Sequence, residues 1–103
     1  MPTKTHRLPT HRRPTTPGEM LREEFLVPLG LTQAEVARRI AVPPNRLSEV
    51  ISGKRTMTAD TALRLGRAFG MSPQFWMDLQ TQVDLWDAER KTIPAIEPFQ
   101  KIA

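Results

Sequence analysis

From residue 20 to residue 86 the apolar side chains recur at helical spacing, and prolines and glycines break the pattern into short segments. Met20, Leu21, Phe25 and Leu26 form the inward face of a first helix that begins near Pro17-Gly18. Its acids Glu19, Glu23 and Glu24 lie toward the positive end of the helix dipole. Pro28 predicts the stop, because the residue before a proline is pushed out of the α region, and Gly30 completes the turn. Thr32-Gln33-Ala34-Glu35 reads as a capping box opening a second helix, with Val36, Ala37 and Ile40 inward. That helix must end by about Ala41, since Pro43 and Pro44 follow. Pro44 suits the first turn of a third helix, where its missing N–H costs nothing. The third helix runs to about Ser52 with Leu47, Val50 and Ile51 inward, and Gly53 ends it. Thr58 caps a fourth, with Asp60 in its first turn; Leu63, Leu65, Ala68 and Phe69 supply its apolar surface and Gly70 its end. Ser72-Pro73 opens a fifth, whose Phe75, Leu79, Val83 and Trp86 form a stripe widened by Trp76. Pro94 and Pro98 prevent a regular helix beyond Arg90. No strand pattern exceeds a few residues, and there is no internal repeat or glycine-rich phosphate loop. The expectation is an all-α domain of five helices.

A length of 103 residues bounds this to one domain with one modest core. The expected organisation is a flexible basic tail over 1–16, the helical domain over 17–90 and an irregular C-terminal tail over 91–103. The tail holds Lys4, Arg7, Arg12 and Arg13 with no acid, so it alone accounts for the net charge of +4. Pro2, Pro9 and Pro14, with almost nothing apolar between them, predict disorder there. Its alternative use is as an arm that adds phosphate contacts or enters a groove. The remaining charge is segregated. Arg38, Arg39, Arg46, Lys54 and Arg55 outnumber Glu35 and Glu49, whereas Asp78, Asp84, Asp87 and Glu89 outnumber Arg90. The acidic set reads as a solvated helix edge, and the basic set suggests a polyanion partner. Cysteine is absent, which removes disulfide scaffolds and cysteine zinc sites, and His6 and His11 have no third ligand nearby. No apolar run approaches the ~20 residues of a membrane span, and the N-terminus lacks an apolar signal core, so the expected location is the cytoplasm.

The second and third helices are separated by about three residues, which is helix-turn-helix spacing. The demands of that motif are met position by position. Val36 and Ile40 hold the second helix on the core, Val42 plugs the turn, and Leu47 and Val50 seat the third helix. Ala37 must be small because the third helix crosses it, and a larger residue there should cost about 1–3 kcal/mol by overpacking. The outward positions of the third helix are then Pro44, Asn45, Arg46, Ser48 and Glu49. In a major groove Asn45 can pair with adenine, Arg46 with guanine or a phosphate, and Glu49 can accept from the cytosine amino group. Gln33 can hydrogen-bond a phosphate beside free backbone N–H groups, and Lys54 and Arg55 are placed for phosphates. A single copy would hold only one half-site, so a two-fold partner is expected, and Trp86 is the candidate dimer contact.

The ungapped run from Leu31 to Lys54 resembles the helix-turn-helix of phage-repressor (Xre-type) proteins. Thr16-Pro-Gly-Glu-Met-Leu21, Ser52-Gly-Lys-Arg55, Thr58-Ala-Asp-Thr-Ala-Leu63 and Pro73-Gln-Phe-Trp-Met-Asp-Leu79 resemble its HigA/VapI branch more narrowly, over roughly residues 15–90. The resemblance implies a five-helix DNA-binding repressor that dimerises on a palindromic operator. Position by position it implies phosphate contact by Gln33 and base contact by Pro44, Asn45, Arg46, Ser48 and Glu49. It also implies autoregulation of a toxin–antitoxin operon, with two alternatives: a solitary regulator without a toxin partner, or a toxin-neutralising interaction protein whose DNA binding is secondary and whose acidic edge meets a small ribonuclease toxin. Two departures stand out. Ala41 occupies a turn position that is usually glycine, and Pro43-Pro44 replaces a polar pair at the head of the recognition helix, leaving specificity to Asn45, Arg46 and Glu49.

An enzyme is disfavoured, because the only histidines lie in the tail, cysteine is absent and no carboxylate cluster faces an evident pocket. RNA binding is disfavoured because tyrosine is absent and most aromatics fit inward positions. No cofactor or metal is expected.

Overall fold

Thr16 sits in extended backbone and its hydroxyl accepts the Glu19 N–H at 3.0 Å, while the Glu19 carboxylate accepts the Thr16 N–H at 2.9 Å. This complete capping box starts the first helix of a computed structural model that describes residues 12–100. The sequence expectations for Lys4, Arg7, His6, His11 and residues 101–103 lie outside the described residues. Helix α1 comprises Pro17–Leu21, a wide π turn at Arg22–Leu26, and a last turn Val27–Leu29 ended by Gly30. Helices α2 (Gln33–Ile40), α3 (Pro44–Ser52), α4 (Ala59–Phe69) and α5 (Pro73–Glu89) follow. There is no strand among the described residues.

Three local expectations are corrected. Pro28 does not stop α1: Val27 keeps helical angles, and its N–H reaches back five residues to the Arg22 carbonyl. That widened turn makes room for the proline ring, whose usual clash is with the carbonyl of the preceding turn. The box at Thr32–Glu35 forms only its first half, the Glu35 N–H donating to the Thr32 hydroxyl at 3.0 Å. On α4, Leu63 is 45% exposed, and the buried face is Thr61, Ala62, Leu65 and Gly66. With 3.6 residues per turn, 58, 61–62, 65–66 and 69 share one face and 63 falls about a third of a turn from its centre.

The core gathers Leu21, Leu26, Val36, Ala37, Ile40, Val42, Leu47, Val50, Ile51, Met57, Ala62, Leu65 and Trp76. Phe25, Phe69, Phe75 and Trp76 cluster at one side, with ring centroids 5.0–6.5 Å apart in tilted or edge-on pairs. This geometry suits the ring quadrupoles, and it settles Phe75 and Trp76 as packing residues. Gly18 lets α1 lie directly on the end of α3. A Cβ there would meet the Val50 carbonyl oxygen at 2.3 Å and the Ile51 carbonyl oxygen at 2.5 Å. The Met57 N–H donates to the Gln80 side-chain oxygen at 2.7 Å, tying the loop after α3 to α5. Residues 12–16, expected in the tail, pack on this body: Pro14 is buried and Arg13 bridges to Asp87 on α5. Residues 92–98 have no regular structure. No helix among the described residues is long and apolar enough to cross a membrane.

Two stability changes are expected. Gly18→Ala forces α1 off α3 and should destabilise by about 2 kcal/mol or more. Ala41→Gly should stabilise by up to about 1 kcal/mol, because Ala41 holds a φ of +60° that glycine adopts without strain. Urea unfolding followed by circular dichroism checks both; an unchanged midpoint for Gly18→Ala would contradict the close approach.

Candidate nucleic-acid interface

The outward side of α3 depends on how α2 holds it. Ala37 has no exposed surface, and Val42, Leu47 and Val50 are buried beneath α3. Ala41 turns the chain in the left-handed region, and the Val42 N–H returns to the Ala37 carbonyl at 3.0 Å. Pro43 is the residue before α3, and its carbonyl accepts the N–H groups of Arg46 and Leu47. The free carbonyls at the end of α2 are taken by Arg64 of α4, whose guanidinium donates to Ile40 at 2.7 Å and to Ala41 at 3.2 Å. Asp60, one turn earlier, accepts from the same guanidinium at 3.0 Å and fixes its direction. Arg64 thus staples the α2–α3 turn to α4 and satisfies carbonyls that a helix end leaves open.

With α3 seated this way, Pro44, Asn45 and Ser48 are exposed and Arg46 and Glu49 half-exposed along one edge. Among the described residues, no side-chain hydrogen bond or ion pair engages Asn45, Arg46 or Lys54. Gln33 is the first residue of α2, where the Thr32 hydroxyl and carbonyl are taken by the Glu35 and Val36 N–H groups. The N–H groups of Gln33 and Ala34 therefore remain open at a positive helix end, as an anion contact requires.

Glu49 and Arg55 are placed differently from the sequence expectation. One oxygen of the Glu49 carboxylate, Oε1, is taken by the Arg55 guanidinium, through Nε at 2.9 Å and a second nitrogen at 2.7 Å. The Glu49 carbonyl also accepts the N–H groups of Lys54 and Arg55, at 2.9 and 3.2 Å. Gly53, with a φ of +85°, folds the chain back so that residue 55 returns over residue 49. That geometry follows from a glycine just past a helix end, where the second residue beyond bonds back across the last turn.

Trp86 is half-buried, and the Arg90 guanidinium covers its ring at 3.7 Å from the centroid. The acidic edge of α5 is partly engaged. Asp78 accepts from Gln74 at 2.8 Å and Asp84 from Gln80 at 2.9 Å. Asp87 accepts both arms of Arg13, at 2.9 and 2.8 Å. This hydrogen bond holds the Asp87 carboxyl below its ordinary range and raises Arg13. Arg64, the Glu49–Arg55 pair and the Arg13–Asp87 pair are residues that sequence reasoning missed. Only the second carried a signal, the glycine that reverses the chain.

A surface groove of about 500 Å³ is lined by Arg39, Ile40, Asp60, Leu63, Arg64, Arg67 and Ala68. Its one carboxylate is already committed to Arg64. No group of His, Asp or Glu among the described residues could hold a metal ion.

Residues 21–76 match the helix-turn-helix family HTH_3. Virulence-associated protein I of Dichelobacter nodosus is 49% identical over 74 residues, covering 72% of this chain and 68% of that protein. Antitoxin HigA-1 of Vibrio cholerae is 43% identical over 82 residues, covering 80% and 77%. Among solved structures, Pseudomonas aeruginosa antitoxin HigA with the higBA promoter has a TM-score of 0.71 at 42% identity, covering 74% of this chain and 83% of that one. Antitoxin GraA in complex with its operator has a TM-score of 0.74 at 32% identity, covering 89% and 100%.

A proton titration of Asp87 by NMR should give a midpoint below that of an exposed aspartate, and Arg13→Ala should raise it toward the ordinary value. Because the folded carboxyl is lowered, the pair's small contribution is present at neutral pH and lost as pH falls through that lowered range. An Asp87 midpoint unchanged by Arg13→Ala would contradict the pairing.

Proposed function

The chain belongs to the HTH_3 helix-turn-helix family as a DNA-binding regulator resembling the HigA antitoxins, and from that premise we propose that it represses transcription as a homodimer on a palindromic operator. The single observation that carries this reading is the seated α3, whose exposed edge keeps Asn45 and Arg46 free of internal partners. Asn45 and Arg46 read base edges, with Pro44 and Ser48 against the groove wall. Gln33 and Lys54 hold phosphates. The division follows from reach and chemistry: amide and guanidinium groups suit base edges, whereas the α2 N-terminus and the lysine beyond α3 suit the backbone.

Two copies are needed for affinity, because one α3 fills one half-site. Trp86, near the end of α5 with its indole nitrogen buried and unbonded, contributes to that two-fold contact. The domain proper spans 17–90, with residues 12–16 packed against it through Pro14 and the Arg13–Asp87 contact. The protein acts in the cytoplasm and carries out no catalysis. Relatives named as antitoxins favour a second activity, the neutralisation of a small ribonuclease toxin. Co-purification with the product of an adjacent reading frame tests it, and a lack of any such partner leaves a solitary regulator.

On a duplex selected from a random pool, Asn45→Ala and Arg46→Ala should each weaken binding by about 1–3 kcal/mol and leave random DNA nearly unaffected. Lys54→Ala should weaken all sequences alike and reduce the salt slope by about 1. Fluorescence anisotropy over a salt series measures both. Equal losses on selected and random DNA for all three variants would remove base reading from α3.

A further inference from the structure

Glu49 sits on the recognition helix but its carboxylate points along the protein surface to Arg55, at 2.7–2.9 Å from two guanidinium nitrogens. The contact joins the last turn of α3 to the first residues after it, and the backbone reinforces it. The Glu49 carbonyl accepts from the Ser52 hydroxyl and from the Lys54 and Arg55 N–H groups. Lys54, one residue earlier, has no such carboxylate. Two adjacent cations at the edge of the proposed DNA face are therefore unequal: one is free and the other is held.

Glu49 Oε1 sits against both Nε and a terminal nitrogen of Arg55, so it occupies the edge of the guanidinium that a phosphate oxygen would otherwise use. Both partners remain open to water, with 49% of the Arg55 and 39% of the Glu49 side chain exposed. The pair is therefore exchangeable rather than permanent. A phosphate fixed in register by base contacts can compete with the carboxylate. One passing the surface during a loose encounter competes poorly.

We propose that Glu49 is a specificity determinant that works through Arg55: its carboxylate withholds Arg55 from the phosphates of random DNA and releases it when α3 is seated on the operator. This inference rests on the DNA-binding reading above and gives Glu49 a role other than reading cytosine. Sequence discrimination then comes partly from a cation that counts on the right site and is muted on the wrong one.

The test measures Glu49→Gln, Arg55→Ala and the double variant on the selected duplex and on a random duplex of equal length, from 0.05 to 0.3 M salt. Urea unfolding confirms equal stability, as expected for an exposed pair. On random DNA, Glu49→Gln should tighten binding about three- to tenfold and steepen the salt slope by about 0.9, the share of one phosphate contact. On the selected duplex the gain should be smaller, so the ratio of the two affinities narrows. In the Arg55→Ala background the gain should vanish. A gain that survives Arg55→Ala would show mere relief of charge repulsion and overturn the proposal. An unchanged slope on random DNA with binding lost only on the selected duplex would make Glu49 a direct base reader and also overturn it. Failure of the underlying reading looks different: the unmodified protein would then prefer no duplex at all.

Discussion

The seating of α3 on α2 through a shared core that includes the fully buried Ala37 is the constraint on which the rest depends. Ala37 has no exposed surface within that core, while Asn45 on α3 is exposed and Arg46 half-exposed. The seating is held from both ends. Below, Val42, Leu47 and Val50 fill the space between the helices. Behind, Arg64 satisfies the carbonyls of Ile40 and Ala41, so the strained left-handed alanine is fixed by a charged hydrogen bond from α4. The third support is steric, since Gly18 brings α1 against the carbonyls at the end of α3. A recognition edge needs rigid support more than it needs many contacts of its own, and three separate elements supply it.

Charge is arranged by the same logic. Arg38, Arg39, Arg46 and Lys54 lie without an ion-pair partner among the described residues on the α2–α3 side, while the acids of α5 are spread along a solvated edge or tied to side chains of their own surroundings. Arg13 shows how a basic residue that looks like part of a tail becomes structural when one carboxylate faces it. Its bidentate contact with Asp87 pins the chain just before α1, next to the groove formed by Val50, Gly53 and Arg55. Exposed ion pairs of this kind add little stability, about 0–1 kcal/mol each. Their effect is to decide which cations remain available.

Much of this was legible in the residues. Thr58, Ser72, Pro44, Pro73, Gly53 and Gly70 place helix ends by local chemistry, and local chemistry is visible in a single sequence. The buried faces of α2 and α3 follow from periodicity. The misreadings share a physical reason. Pro28 was read by a rule for regular α-helix, and the chain escaped it through a wide turn that periodicity does not encode. Leu63 is apolar but lies off the inward face, where Thr61 and Gly66 take the buried places for reasons of fit rather than hydropathy. Arg64 and Arg13 act on partners 23 to 74 residues away, and such pairings exist only once the fold is formed.

The most direct measurement is amide chemical-shift mapping of the isotopically labelled protein, titrated with the duplex it enriches from a random pool. The largest changes are expected along Gln33–Ala34, Asn45–Glu49 and Lys54–Arg55, with α5 changing only near Trp86. Changes concentrated on the acidic edge of α5, with the outward edge of α3 silent, would contradict the central claim.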